Sequence, residues 1–217
     1  MQSLFEKYRP RTFDQIIGQD KAVKNLKRME CAGGFGGNAY WITGNRGVGK
    51  TSIARIIAGK VADKADIIEV DARDCTLDFV RSIKETFELA ARCTLFELRK
   101  AWIINEADDL RADVLARFKT CLDPVHPNCA VIFTCTKESA KLLWEDDEDA
   151  PQFLARCIPL CLTSRGLADL FAQRLHDCAD AEGLNGKPVE WYKRLMMDNR
   201  NDPRACFCAI QGGAALE

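Results

Sequence analysis

Up to Leu162, short runs of apolar residues alternate with longer segments in which apolar residues recur every three or four positions. Short apolar runs are typical of buried β-strands, and the longer spacing is typical of helices with one apolar face. Because the two patterns alternate, we predict parallel strands connected by crossover helices. The predicted strands cover Ala39–Thr43, Ala65–Val70, Trp102–Asn105 and Ala130–Cys135. The predicted helices cover Asp20–Cys31, Lys50–Val61, Thr76–Cys93 and Arg111–Leu122.

The pattern changes after Leu162, because only helical spacing remains from Ser164 onward. Three more helices are predicted, over Arg165–Glu182, Val189–Asp198 and Asp202–Gln211. We therefore expect an α/β domain over residues 1–162, with a parallel central sheet flanked by helices. A small all-helical domain is expected over residues 163–217.

Charge is distributed unevenly, although the formal net charge is only −1. Residues 1–60 carry 11 Lys and Arg against 4 Asp and Glu, whereas the rest of the chain carries 20 against 28. This distribution excludes a uniformly basic nucleic-acid-binding protein but allows a local basic surface. The acidic run at Glu145–Asp149 is expected to form a solvated loop.

Composition also bears on location and on metal binding. No apolar run approaches the ~20 residues of a membrane-spanning helix, and the N-terminus lacks the apolar core of a secretory signal. We therefore expect a cytoplasmic protein that does not bind a membrane. The 11 cysteines are odd in number, no Cys-x-x-Cys pair occurs, and there are only 2 histidines. This composition favours buried free thiols over disulfides or a zinc site.

A glycine-rich segment lies between the first predicted strand and a predicted helix. Gly44-Asn45-Arg46-Gly47-Val48-Gly49-Lys50-Thr51 matches the pattern G-x-x-x-x-G-K-[ST] without a mismatch, and this pattern typically forms a phosphate-binding loop, or P-loop. Glycines let successive backbone N–H groups curl around phosphate oxygens, and the following helix directs its positive end at them. Lys50 is predicted to contact the β- and γ-phosphates of ATP, and Thr51 to bind Mg²⁺ through its hydroxyl. The predicted phosphate-binding residues are Gly44, Asn45, Arg46, Gly47, Val48, Gly49, Lys50, Thr51 and Ser52.

The strand Trp102–Asn105 leads into Glu106, at a point where a P-loop enzyme needs acidic groups. Glu106 is predicted to act as a general base that polarises a water molecule for attack on the γ-phosphate. Asn105 stands where an aspartate is expected. It keeps one acceptor oxygen for Mg²⁺ but lacks the negative charge, so it is expected to hold the metal less well. The alternative is that Asn105 and Glu106 only cap the next helix.

Together with these motifs, Glu6-Lys7-Tyr8-Arg9-Pro10, followed by Ile16-Ile17-Gly18-Gln19, resembles the opening of the AAA+ clamp-loader ATPases. That family includes replication factor C small subunits, the phage clamp-loader ATPase and the bacterial gamma/tau subunit. The resemblance covers about residues 4–212 and implies a P-loop ATPase domain with a helical lid. From composition alone, Tyr8-Arg9-Pro10 is only a turn-forming segment. The resemblance implies an adenine pocket lined by Tyr8, Arg9, Ile17 and Gly18.

Three further positions resemble functional residues of this family, in the expected order. Thr136 resembles the sensor that hydrogen-bonds the attacking water or the γ-phosphate. Arg156, in Ala155-Arg156-Cys157, resembles the arginine that reaches into the ATP site of the adjacent subunit. Arg204 resembles the arginine that contacts phosphate from the lid. Cations at such positions stabilise the charge of the transferred phosphoryl group, whereas an isolated arginine is more often a surface residue in an ion pair.

The resemblance implies partners as well as residues. They are like or related AAA+ subunits that contact Arg156, a sliding clamp and primed DNA. Two basic pairs, Arg81 with Lys84 and Arg111 with Lys119, lie on predicted helices that face DNA in the family. They are expected either to contact phosphates without sequence preference or to be ordinary solvated residues.

Three features depart from the family pattern. Asn105 replaces an aspartate, Ala155 replaces a serine, and the acidic segment Trp144–Asp149 resembles an insertion. No segment resembles the helical collar through which clamp loaders form pentamers, so we expect an ATPase fragment or a shorter relative.

Three functions remain open at this point. The leading one is an ATPase that loads a clamp onto DNA. Because of Asn105, the alternative is an ATP-binding structural or regulatory subunit with poor hydrolysis. A small-molecule kinase would share the P-loop but would not account for Arg156, Arg204 or the N-terminal segment.

Overall fold

A computed structural model describes residues 2–92, 97–136 and 149–216 of the chain. Within these ranges, five strands form one sheet with the spatial order β2-β3-β4-β1-β5. All neighbouring strands are parallel, which confirms the predicted α/β fold with a parallel central sheet. The strands are β1 Asn38–Thr43, β2 Ile67–Asp71, β3 Lys100–Asn105, β4 Cys129–Cys135 and β5 Cys157–Cys161.

Helices connect these strands and continue after the sheet is complete. The predicted helices agree with the observed ones to within one or two residues at their described ends. In chain order, the helices are α1 Leu4–Lys7, α2 Asp20–Ala32, α3 Lys50–Val61, α4 Leu77–Arg92, α5 Ala112–Cys121, α6 Asp149–Leu154, α7 Leu167–Ala181, α8 Val189–Asp198 and α9 Pro203–Gln211.

Some predictions of local structure were wrong. Strand β5 was not predicted, because Pro159 interrupts its short apolar run and proline is tolerated in a sheet chiefly on an edge strand, which β5 is. The strand predicted from Ala65 begins at Ile67, after a 3-10 turn at Lys64–Asp66. The predicted acidic loop at residues 145–148 lies outside the described residues, and Asp149 begins α6.

Alternate side chains of the central strands point to opposite faces of the sheet, so the sheet has two apolar cores. Ile103 and Ile132 pack with Ile53 of α3 on one face. Trp102 and Phe133 pack with helices α4 and α5 on the other face. Because both faces are covered, the middle strands are almost continuously apolar, which is why they were predictable from sequence.

A third core joins helices α7, α8 and α9, and includes Leu175, Tyr192 and Phe207. Leu4 of α1 is buried in the same core, so the start of the chain packs against the helical region. The division of the chain at residues 162–163 stays a prediction.

Three other properties concern the described part of the chain. No helix there is long and apolar enough to cross a membrane. Its cysteines are free thiols; most of them are buried, as predicted, but Cys31, Cys161 and Cys208 are exposed. No cluster of three or more His, Cys, Asp or Glu side chains suited to a metal ion occurs among these residues.

Candidate functional site

A cleft of about 720 Å³ lies between the N-terminal segment, the P-loop, the ends of β3 and β4, and helices α7 and α9. In open parallel sheets, ligands bind outside the carboxyl ends of the strands, and the cleft lies there. Most of the predicted site residues line it: Tyr8, Arg9, Ile17, Arg46, Gly47, Val48, Gly49, Lys50, Thr51, Ser52, Asn105, Glu106, Thr136 and Arg204. The described lining does not include the predicted residues Gly18, Gly44, Asn45 and Arg156.

The P-loop joins β1 to α3 through backbone that favours glycine. Gly47 has φ +82° and Gly49 has φ +101°, in the left-handed region that other residues rarely adopt. A Cβ atom on Gly47 would lie 2.6 Å from Cδ of Pro203, so the P-loop and the start of α9 approach each other closely. Gly49 immediately precedes Lys50, the first residue of α3. The loop therefore directs the positive end of this helix towards the cleft.

Lys50 lies inside the P-loop. Its Nζ donates hydrogen bonds to the carbonyl oxygens of Gly44, at 2.7 Å, and Asn45, at 2.9 Å. Burial lowers the pKa of Lys50, although Cys135 and Asp108 act in the opposite sense. A phosphate in the loop would give this partly desolvated ammonium group an anionic partner.

Two neutral oxygens meet beside the P-loop. Thr51 Oγ1 lies 3.4 Å from Asn105 Oδ1, and the buried Thr134 donates a hydrogen bond of 3.0 Å to the same oxygen. Hydroxyl and amide oxygens are hard donors of the kind that Mg²⁺ accepts, usually together with water and phosphate. Thr51 and Asn105 therefore fit the magnesium ion that a P-loop site implies.

The other side of the Asn105 amide contacts β2. Its Nδ2 donates to Glu69 Oε1 at 2.8 Å, and Glu69 accepts from Arg55 Nε at 2.7 Å. Desolvation acts to raise the pKa of Glu69, but the hydrogen bonds from Arg55 and Asn105 outweigh it and hold this pKa below its usual value. Sequence reasoning missed Glu69 because only strand pairing brings it next to Asn105.

Glu106 has a left-handed backbone, with φ +53° and ψ +46°. This conformation is uncommon outside glycine and is often found at functional sites. The Glu106 side chain makes no capping hydrogen bond to the 3-10 turn that follows, and Asn105 is bonded to Glu69 instead. The alternative of two helix-capping side chains therefore does not describe this geometry.

Asp108 is a further carboxylate in the cleft that sequence reasoning did not single out. It is 8% exposed, and its Oδ2 accepts a hydrogen bond of 2.9 Å from Thr136. Its Oδ1 is buried without a hydrogen-bond partner. Its position three residues after Asn105 was the available sequence signal.

Aromatic and cationic side chains line the wall formed by the N-terminal segment and α9. The guanidinium groups of Arg9 and Arg204 each lie 4.8 Å from the centroid of the Phe5 ring. The Tyr8 ring stacks on Phe207 at 6.0 Å. A hydrogen bond to Glu182 is the main cause that raises the pKa of Tyr8 to about 12. Phe5 was missed from sequence because an isolated phenylalanine gives no sign of these contacts.

The Gly18-Gln19 pair connects the P-loop with the start of the helical region. Gly18 has φ +71°, and a Cβ there would lie 2.5 Å from Leu167 Cδ2. The buried Gln19 donates to the carbonyl oxygen of Thr163 at 2.8 Å and accepts from its N–H at 3.0 Å. Gly18 therefore contacts α7 and does not line the cleft.

The predicted intersubunit arginine lies away from the cleft. Arg156 donates to the carbonyl oxygen of Gln152 at 2.6 Å and pairs with Asp123 at 3.3 Å. Its Nε is buried without a hydrogen-bond partner. The structure therefore does not bring Arg156 together with the other predicted site residues of the same chain.

The predicted DNA-facing residues are spread over α4 and α5. Arg81 pairs with Asp78 at 2.7 Å, and Arg111, which precedes α5, pairs with Asp113 at 3.3 Å. Lys119 donates to Gln152 at 3.3 Å. These contacts are compatible both with residues that bind DNA phosphates and with ordinary solvated residues, so DNA binding stays a prediction.

The fold and the site together define the class of protein. Residues 40–145 match the AAA family, the ATPase family associated with various cellular activities. The fold of the chain is also similar to that of the RuvB Holliday junction branch migration motor of Thermotoga maritima, with a TM-score of 0.60, 18% identity and coverage of 94% of this chain and 64% of that one. This chain contains a AAA domain with the P-loop fold.

Within that class, the chain is homologous to clamp-loader subunits across most of its length, which confirms the predicted resemblance. It is 31% identical over 217 residues to the replication factor C small subunit of Methanosarcina barkeri, covering 98% of this chain and 61% of the relative. The corresponding protein of Archaeoglobus fulgidus is 26% identical over 215 residues, covering 97% and 63%. DNA polymerase III subunit tau of Bacillus subtilis is 27% identical over 165 residues, covering 65% and 28%. The chain thus spans less than two thirds of the length of these relatives.

Proposed function

We propose that this protein is an AAA+ ATPase of the clamp-loader type, which binds ATP with Mg²⁺ in the cleft and couples its hydrolysis to loading a sliding clamp on DNA. The observation that carries the proposal is the meeting of the P-loop with Asn105 and Glu106 at one cleft. The homology to replication factor C small subunits supports the same role in DNA replication.

The phosphates would be bound by the P-loop N–H groups and by Lys50, whose ammonium group would exchange two carbonyl partners for phosphate oxygens. Thr51 and Asn105 would hold the magnesium ion through their side-chain oxygens. When bound, this ion supplies positive charge that stabilises the charge developing on the phosphates. Tyr8, Arg9 and Ile17 line the part of the cleft proposed for adenine.

Glu106 would accept the proton of the attacking water. It is the acidic residue that follows β3, and its side chain is not used in a capping hydrogen bond to the next turn. Thr136 would orient this water, and its hydrogen bond to Asp108 fixes the hydroxyl group. Arg204 would reach the γ-phosphate from α9 when the helical region, proposed as a lid over residues 163–217, moves towards the nucleotide.

The ATP site is proposed to lie at a junction between like or related AAA+ subunits. Arg156 lies outside the cleft of its own chain, so it would act only in the cleft of a neighbouring subunit. Primed DNA would contact the basic residues of α4 and α5 through its phosphates.

Hydrolysis by this site is tested by phosphate release from ATP with Mg²⁺, with and without primed DNA, for the unaltered chain and Glu106→Gln. We expect release from the unaltered chain and at least a hundredfold loss in the variant, because general base catalysis typically contributes about 10²–10⁴ in rate. ATP binding by Glu106→Gln, measured by titration, serves as the control for folding. Equal release from both proteins would contradict the role of Glu106.

The second candidate is an ATP-binding structural or regulatory subunit with poor hydrolysis. The observation that favours it is the neutral Asn105 in the metal site, because a carboxylate would attract Mg²⁺ more strongly. This function predicts nucleotide-dependent assembly without phosphate release, even when related subunits and primed DNA are present.

A further inference from the structure

The Asn105 amide has different neighbours on its two sides. Its oxygen accepts hydrogen bonds from Thr134, at 3.0 Å, and Thr51, at 3.4 Å. Its nitrogen donates to Glu69 Oε1 at 2.8 Å. Because an ionised carboxylate only accepts hydrogen bonds, Glu69 requires the NH₂ group on its own side. The amide therefore has one orientation that satisfies all three neighbours.

Glu69 is itself held in place from α3. Arg55 donates to both of its oxygens, from Nε at 2.7 Å and from Nη2 at 3.1 Å. A paired arrangement of this kind fixes the plane of the carboxylate as well as its position. Arg55, Glu69 and Asn105 thus form a continuous chain of hydrogen bonds from α3 across β2 to β3, which ends at the oxygen beside Thr51.

We propose that Glu69 is a positioning residue, which orients the Asn105 amide so that its oxygen faces Thr51 and the magnesium site. This inference rests on the proposed function. Outer partners of metal-binding side chains commonly fix ligand orientation in this way. Without Glu69, the amide is free to rotate and to present N–H donors to the cation. The side chain at position 105 and its partner on β2 therefore form a matched pair.

The matched pair predicts that an aspartate at position 105 is unfavourable in this chain. Asn105→Asp removes the hydrogen that Glu69 accepts and brings two carboxylates to hydrogen-bond distance. Adding Glu69→Gln supplies an amide donor to the new carboxylate, so the same hydrogen bond forms in the opposite direction. If Glu69 paired only with Arg55 and not with Asn105, adding Glu69→Gln would not restore the stability lost in Asn105→Asp.

Thermal unfolding of the nucleotide-free chain tests the pairing. We expect Asn105→Asp to lower the midpoint by about 3 °C or more, and Asn105→Asp with Glu69→Gln to recover most of that loss. Glu30→Gln is the matched control. Glu30 is also a carboxylate in an ion pair, at 2.6 Å from Lys60, but this pair is not part of the cleft. An Asn105→Asp protein as stable as the unaltered chain, or one that gains nothing from Glu69→Gln, would overturn the pairing.

The role in metal binding has a separate readout. The affinity of a fluorescent ATP analogue is measured with and without Mg²⁺. In Glu69→Ala, we expect the gain in affinity on adding Mg²⁺ to fall about tenfold or more, while the affinity without Mg²⁺ changes little. Glu30→Gln should keep the full gain.

The two proposals fail in different ways. If the unaltered chain binds no ATP analogue, the proposed function fails, and the role of Glu69 in metal binding fails with it. If the unaltered chain binds normally and Glu69→Ala keeps the same Mg²⁺ dependence, only the positioning role of Glu69 is overturned.

Discussion

Arg156 illustrates how a single residue can be satisfied locally and still be proposed to act elsewhere. Its guanidinium group contacts Gln152 and Asp123 of its own chain, and its buried Nε has no partner. A buried N–H donor without an acceptor costs free energy, so an approaching anion that accepts from it would favour a new position of the guanidinium group. The cleft of the same chain is not lined by Arg156, so such an anion would come from a neighbouring subunit.

Complementation between two inactive variants tests this role. Arg156→Ala keeps Glu106 but lacks the arginine, and Glu106→Gln keeps the arginine but lacks the base. If Arg156 acts across a junction, an equal mixture should recover about a quarter of the phosphate release of the unaltered chain. With random assembly, about a quarter of the junctions place an intact Glu106 opposite an intact Arg156. If Arg156 acts only in its own chain, the mixture should stay as inactive as either variant.

At the level of elements, the P-loop and the start of α9 are in direct contact. Gly47 leaves room for Pro203, at the start of α9, and Arg46 pairs with Asp202 at 3.5 Å. A change in the P-loop should therefore affect both nucleotide binding and the packing of α9.

Gly47→Ala tests this dependence. The added Cβ would lie 2.6 Å from Pro203 Cδ, on backbone with φ +82°. The left-handed backbone alone costs about 1–2 kcal/mol for alanine, so urea unfolding should reveal a loss of stability of at least that size, together with weaker ATP binding. Gly59→Ala in α3 is the control, because nothing lies within 4 Å of its Cβ position. It should raise stability by about 0.5–1 kcal/mol.

The elements that could be predicted from sequence are those whose pattern reflects local burial. The apolar runs of β1, β3 and β4 identified the central strands, and the P-loop was evident from consecutive residues. Strand β5 was hidden by Pro159, and α1 by its dependence on packing against the helical region. Glu69 and Phe5 could not be assigned from sequence because their contacts join residues far apart in the chain. Asp108 was missed for the same reason, although its position three residues after Asn105 was a signal.

At the scale of the whole molecule, buried thiols link stability to pH. Burial raises the pKa of Cys157 from 9.0 to about 12 and that of Cys206 similarly. The unfolded thiol ionises above pH 9, whereas the folded thiol keeps its proton. The contribution of each buried thiol to the free energy of unfolding is therefore complete below pH 9 and is lost as the pH rises towards 12.

Cys157→Ala should make unfolding less sensitive to alkaline pH. Each buried thiol steepens the loss of unfolding free energy by up to about 1.4 kcal/mol per pH unit between pH 9 and pH 11, and this variant removes one. Urea unfolding at several pH values measures the slope. Cys161→Ala, at an exposed position of the same strand, should keep the slope of the unaltered chain, and equal slopes for both variants would contradict the assignment.

Calorimetric titration of the chain with ATP measures whether the cleft binds ATP with Mg²⁺ through its P-loop. We expect saturable, Mg²⁺-dependent binding to the unaltered chain and to Lys60→Ala, whose exposed lysine lies in the same helix. Lys50→Ala should bind at least about a hundredfold more weakly, because hydrogen bonds to charged groups contribute about 1.5–3 kcal/mol each. Binding to Lys50→Ala as tight as to the unaltered chain, or none to either, would show that the P-loop of this cleft is not an ATP site.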